Sequence, residues 1–228
     1  MKMRSFLFGP ILGLALLGNT VRGQEVLSYY AEIPQTETNW PLSSAMQLPG
    51  FDPRLGTLTQ VELIFTGEIW ESMYAENLGE TSNASYHLTT RTWLSVTRAG
   101  SSVRLGNSGC SPVEIQKTGI LGAYDGMMNF GGTSGVTYNN DIVFSRMLSD
   151  PDLAAYNGGT LVDFDASARA CSSFSISGGN GIGGFSTSAQ ANLEVVYTYT
   201  PIPEPAMAGV LLGLAALVLA MHRRRDLA

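Results

Sequence analysis

Histidine and cysteine are nearly missing from this chain, with two of each in 228 residues. Zinc fingers and multi-histidine metal centres draw on those side chains, so both classes are excluded. Basic residues are scarce as well. Lys plus Arg number 13 against 19 Asp plus Glu, giving a net charge of −6 and a pI near 4.9. Nucleic-acid binding needs clustered Lys and Arg on phosphate, so no nucleic-acid partner is expected. Charged residues reach only 14%, while 26 residues are glycine.

The cations that exist gather at the two ends. Lys2 and Arg4 precede an apolar run, Phe6–Leu17, and Val21-Arg22-Gly23 offers a cleavage site before Gln24. This pattern predicts a secretory signal peptide over residues 1–23 and export through the Sec pathway. A membrane helix at this end is disfavoured, because twelve residues fall short of the roughly 20 that span a bilayer. At the other end, Pro203-Glu204-Pro205 is followed by the apolar run Ala206–Met221 and by Arg223-Arg224-Arg225. Sixteen residues at about 1.5 Å each make a helix of roughly 24 Å, which crosses with snorkelling or local thinning. The arginines would stay cytoplasmic, leaving residues 24–203 outside the inner membrane. A plain tail anchor is the simpler alternative.

Pro203-Glu204-Pro205, an apolar helix and the Arg223–Arg225 cluster, in that order, resemble a PEP-CTERM sorting signal over residues 201–228. The resemblance implies a bacterial chain recognised near Pro-Glu-Pro by an exosortase, an integral-membrane protease or transpeptidase. The chain would be the substrate of that enzyme and only transiently membrane-anchored.

Residues 24–203 carry 17 acids and 7 cations, a net charge of −10, with Lys117 the only lysine. Serine and threonine number 38 there. Hydrophobicity alternates with period two in three long stretches. These are Val61–Trp70, Ala84–Thr97 and Ala189–Tyr199. Such alternation predicts strands with one buried face. Shorter strands are expected near Val26–Ile33, Ile120–Phe130, Ile142–Leu148 and Leu161–Ile176, and one helix over Ser149–Tyr156 with Pro151 in its first turn. About eight strands broken by Gly- and Asn-rich turns predict an all-β antiparallel sandwich over residues 24–200, with a barrel as the alternative.

A second resemblance spans nearly all of residues 27–201. Thr38-Asn39-Trp40, Leu48–Leu58 (LPGFDPRLGTL), Glu76-Asn77, Tyr124-Asp125-Gly126, Phe130–Gly135 (FGGTSG), Leu153–Gly158 and Phe185–Ala189 through Tyr197–Pro201 resemble, in that order, a choice-of-anchor E domain. Residues 98–119 and the Cys171 segment depart from it. The resemblance implies display on a cell surface or in a matrix, and it brings no catalytic residues.

Individual motifs add little chemistry. Cys110 and Cys171 are expected to pair in an exported chain, the alternative being two buried thiols. Closing 61 residues is worth about 4 kcal/mol in the chain-entropy account. Gly179, Gly181 and Gly184 satisfy G-x-G-x-x-G, yet no helix follows, so a hairpin loop is expected and no dinucleotide. Gly106-Asn107-Ser108-Gly109 would need a histidine base, and His87, mid-strand, is the sole candidate before the anchor. Asp150, Asp152, Asp163 and Asp165 lack calcium-loop spacing and read as caps and loop acids. No metal, cofactor or enzymatic activity is therefore expected. Trp70 and Trp93 fall on the polar faces of their strands, where exposed rings can stack on sugars. The chain reads first as a non-enzymatic surface or matrix protein displayed among exopolysaccharide, and second as a carbohydrate-binding module using Trp70 and Trp93.

Overall fold

The computed structural model describes residues 23–39, 44–81, 83–107, 111–202 and 212–217. Nine strands dominate it: β1 Glu25–Glu37, β2 Ser44–Pro49, β3 Gly56–Asn77, β4 Ala84–Arg98, β5 Arg104–Gly106, β6 Val113–Leu121, β7 Gly135–Ser149, β8 Leu161–Ser177 and β9 Gly181–Pro201. All paired strands run antiparallel. One sheet has the order β1-β9-β3-β7 and the other β2-β8-β4, with β6 and β5 lying end to end along the free edge of β4. The sheets pack face to face as a β-sandwich.

The long strands follow from the alternation. In β3, Val61, Leu63, Phe65, Ile69 and Met73 are buried while Glu62, Ile64, Thr66, Glu68 and Trp70 face outward. In β9, Ala189, Ala191, Leu193, Val195, Tyr197 and Tyr199 are buried on the same inner face. Between the sheets these side chains form one large apolar cluster, and a smaller one surrounds Met73, Ala75, Tyr86, Leu88 and Leu121.

Segments far apart in sequence meet at the two poles. At one pole the Phe51 amide donates to the Tyr156 carbonyl and the Gly50 amide to that of Thr160, both at 2.7 Å. The Phe51 ring packs 5.1 Å from Tyr199 and 5.9 Å from Tyr197. At the other pole the buried Glu76 carboxylate accepts from the Phe130 amide and the Ser134 hydroxyl, each at 2.5 Å. Asn77 beside it donates to the Gly122 carbonyl at 2.7 Å and accepts from the Gly79 amide at 3.0 Å.

The structure corrects several expectations. Residues 120–130 are not a strand: β6 ends at Leu121 and the chain enters a loop that Glu76 and Asn77 hold. Ser149–Tyr156 is not a helix of that length. β7 stays in ladder with β3 through Ser149, and only Leu153–Tyr156 forms a 3₁₀ turn, with Asp152 at its N-cap and no side-chain cap bond. Gly181 and Gly184 lie within β9, so the β8–β9 hairpin turn comprises residues 178–180 alone. The short strands β2 and β5, and β6 before Ile120, were not expected.

The predicted signal peptide lies outside the described residues, apart from Gly23. So do Cys110, Pro203, Glu204, Pro205 and Arg223–Arg225. Of the predicted helix 206–221, residues 212–217 are described and are helical. Among the described residues, no helix is long and apolar enough to cross a membrane.

Candidate functional site

Trp70 and Trp93 are both half-buried in outward register, but on different sheets. Trp70 belongs to β3, between Asp141 of β7 and Ser188 of β9. Trp93 belongs to β4, opposite Arg169 of β8. The outer faces of a sandwich point away from one another, so the two rings cannot grip one sugar together.

Trp93 alone lines a cleft. The cleft lies where the β4–β5 edge of one sheet meets the edge strand β7 of the other, and its volume is about 310 Å3. Trp93, Ser95, Arg104, Asn107 and Arg146 supply its polar wall, with Met147 and Leu148 beside them. Asn107 is buried and ties down the floor. Its amide nitrogen donates to the Thr92 carbonyl at 2.7 Å, and its carbonyl accepts from the Leu94 amide at 3.0 Å. Arg104 donates to the Ser95 hydroxyl at 3.0 Å, which lays its guanidinium along the wall. The Arg169 guanidinium sits over the Trp93 ring, 5.9 Å from its centroid. Arg104 and Arg146 thus share a cleft with Trp93, whose ring Arg169 covers.

The other cations have different tasks. Arg54 pairs with Asp52 and Arg91 with Glu114, both near the surface. These partners hold the Asp52 and Glu114 carboxyls below the usual carboxylate range. Lys117 lies over the Tyr138 ring at 5.1 Å. Arg98 is buried beside Asp150, with Nε 3.2 Å from Oδ2, and donates to Asp152 at 2.8 Å. Tyr156 donates to Asp150 at 2.7 Å. Burial and that acceptor push the phenol well above its ordinary pKa. Asp150 and Asp152 are therefore committed to the Arg98–Tyr156 cluster, and Asp163 accepts from Gln47 at 2.9 Å. Among the described residues no group of three His, Cys, Asp or Glu could hold a metal ion.

Sequence reasoning missed a polar belt across the interior. Glu71 follows Ile69 and precedes Met73 on the buried face of β3, and it is 3% exposed. Its cross-strand partners are Asn140 and Thr187, while Thr90 faces Ser172 in the other sheet. Every central strand turns polar at this level, and the belt divides the larger apolar cluster from the smaller. Thr90 donates to the Ser172 hydroxyl at 3.0 Å, whereas Glu71 Oε1, Thr92 Oγ1 and Asn140 Nδ2 are buried without a protein partner. Burial pushes the Glu71 carboxyl up, against the pull of the Thr90 hydroxyl and the Lys117 ammonium. The signal was available: an acid in the apolar register of an alternating strand.

Cys171 is exposed on β8 opposite Arg91, so the buried-thiol alternative does not describe it. His87 is exposed on β4 and hydrogen-bonds the Thr89 hydroxyl at 3.0 Å. Ser108 of the Gly106–Gly109 segment lies outside the described residues.

No family model matches the chain, and no curated protein matches it. Among the solved structures that match are particles of infectious bursal disease virus. One is the structure of T=1 particles derived from infectious bursal virus, at 10% identity over 78% of this chain and 36% of that one, with a TM-score of 0.20. Another is the T13 particle of infectious bursal disease virus, at 13% identity, 88% and 47% coverage and a TM-score of 0.19. The chain spans less than half the length of these structures.

Proposed function

We propose that this chain is an exported, non-enzymatic β-sandwich of a bacterial cell surface or extracellular matrix. It is delivered by residues 1–23, held briefly in the inner membrane by residues 206–221, and processed by an exosortase near Pro203-Glu204-Pro205. The observation that carries this reading is the fit between fold and addresses. β1 starts at Glu25 and β9 ends at Pro201, and Glu25 pairs with Tyr199, so the ordered strands begin and end beside the two address segments at one pole. An anchor there would leave the Glu76–Asn77 pole pointing away from the membrane. Deleting residues 203–228 should release the domain into the medium. A deletion variant that stays as firmly cell-associated as the full chain overturns this reading.

The Trp93 cleft favours a second reading, carbohydrate binding at the surface, with exopolysaccharide as the ligand. An aromatic face beside hydrogen-bonding side chains suits a sugar ring, which has an apolar face and a polar rim. Trp70 lies away from this cleft and serves the reading less well.

A further inference from the structure

We propose that Lys117 and Asn140 join in a spontaneous isopeptide bond, with the buried Glu71 as the acid–base group, so that edge strand β6 is tied covalently to edge strand β7. The bond owes nothing to the Trp93 cleft or to any ligand.

Lys117 is the only lysine of residues 24–203. It lies in inward register on β6, opposite Leu88 of β4, and is half-buried. Its ammonium covers the Tyr138 ring, 5.1 Å from the centroid. A hydrogen bond of 2.6 Å between the Tyr86 and Tyr138 hydroxyls holds that ring in place. Asn140 is the next inward residue of β7 after Tyr138, roughly 7 Å further along the strand. The flexible four-carbon stem of a lysine covers that step by rotation. Asn140 stands directly opposite Glu71 in the β3–β7 ladder, where Cβ atoms lie about 4.5–5.5 Å apart. The Lys117 ammonium also acts on the Glu71 carboxyl electrostatically. Amine, amide and acid thus come from β6, β7 and β3 to one corner between the two sheets.

Two buried atoms point to this chemistry. Asn140 Nδ2 and Glu71 Oε1 have no hydrogen-bond partner. A buried donor and a buried acceptor left unpaired are both costly. The reaction resolves the two together. A proton passes from the Lys117 ammonium to the Glu71 carboxylate, leaving a neutral amine and a neutral acid. Nζ attacks Asn140 Cγ while the Glu71 acid donates to Oδ1. The tetrahedral adduct collapses, Glu71 relays the proton that Nζ gives up, and Nδ2 leaves as ammonia. The Nζ–Cγ bond forms, the Cγ–Nδ2 bond breaks, and no oxidant or co-reactant is consumed. The orphaned Nδ2 is gone, and the new amide N–H can donate to Glu71 Oε1. Burial already pushes the Glu71 carboxyl up, toward the neutral acid that the attack requires. β6 is paired only with β4, and β7 only with β3. The bond therefore clasps the two sheets at the flank where both present a free edge.

The test is peptide mass spectrometry on the full chain, purified in mild detergent, reduced, alkylated and digested with trypsin. Trypsin cuts after Arg104, Lys117 and Arg146, and no other Lys or Arg lies between them. With the bond in place, residues 105–146 are released as one looped peptide. That peptide is uncut at Lys117 and lighter than the linear stretch by one ammonia. Lys117→Arg and Asn140→Ala should each restore cleavage after residue 117 and abolish the ammonia deficit. Glu71→Gln should slow bond formation by about tenfold or more, read as the uncut fraction against time after synthesis. Circular dichroism checks that each variant folds. Should Glu71→Gln unfold, the lysine and asparagine variants, both on edge strands, still decide the bond. Linear peptides 105–117 and 118–146 at full mass in the wild type overturn the proposal. An ammonia deficit that survives in Lys117→Arg marks a cyclic imide at Asn140-Asp141 and overturns it as well. Bond formation at the wild-type rate in a folded Glu71→Gln overturns the role given to Glu71.

Discussion

Glu71 sits where the alternation of β3 calls for a hydrophobic side chain. Its folded carboxyl has a pKa raised by burial, so the folded state holds the proton more tightly than the unfolded chain does. Stability from this group is fully present below the ordinary glutamate pKa and is lost as pH rises through the raised value. Glu71→Gln should therefore flatten the decline in denaturation midpoint above about pH 4.5, the model-peptide range for glutamate. Midpoints measured from pH 4 to 9 that keep the wild-type slope in the variant would assign that slope elsewhere. Gly67 is a second telling residue. A Cβ there would meet Phe144 Cζ at 2.5 Å and Leu94 Cδ2 at 2.7 Å. Gly67→Ala should cost about 1–3 kcal/mol in urea unfolding, the usual cost of overpacking. Cys171 invites a third measurement. Intact mass should rise by two hydrogens on reduction if Cys171 pairs with Cys110, and alkylation of both thiols in unreduced protein would exclude the bond.

At the scale of elements, the end of β4 and the 3₁₀ turn are joined by Arg98, Asp150 and Tyr156. Asp150 is 1% exposed, so removing its cation leaves a buried charge. Arg98→Met should destabilise by about 3–5 kcal/mol, whereas Tyr156→Phe, which removes one hydrogen-bond donor to Asp150, should cost only about 1 kcal/mol. Equal losses for the two variants would mean the ion pair carries no special weight. β3, β4 and β9 were legible because long alternation leaves a single register that buries the apolar face. β2 and β5 were not, because six and three residues are too few for a period to emerge. Residues 122–130 misled for another reason. Tyr124, Met127, Met128 and Phe130 look like strand residues, yet Phe130 has a φ of +54° and its amide is held by Glu76 from 54 residues away. That bond is tertiary, and no local pattern announces it. The cleft was half legible: Trp93 stood out as an aromatic on a polar face, but Arg104 and Arg146 join it only when two sheet edges meet.

Across the whole molecule, the acidity has a side. Glu32, Glu62, Glu68, Asp141 and Glu194 all lie on the outer face of the β1-β9-β3-β7 sheet, while the other outer face mixes Arg91 and Arg169 with Glu114 and Asp165. A strongly single-signed face limits self-association and draws counter-ions. Processing should be visible at the same scale. The mature C-terminus, read by mass spectrometry on protein from exosortase-bearing cells, is expected within or next to residues 203–205. A mature chain that retains Arg223–Arg225 would exclude processing at that signal.

The sequence by itself determined the fold class and the placing of the long strands, because period-two alternation is a property of consecutive residues. It also determined the excess of acid over base and the scarcity of histidine and cysteine, which composition alone states. The tertiary structure decided what depends on residues far apart in the chain. Packing of two sheets put Trp70 and Trp93 on opposite faces, brought Arg104 and Arg146 to the cleft that Trp93 lines, and aligned Glu71, Asn140, Thr187, Thr90 and Ser172 into a polar belt that runs from the buried Glu71 and Thr90 to the exposed Ser172. Each of those outcomes follows from cross-strand register and sheet stacking, which fix distances that no sequence spacing contains.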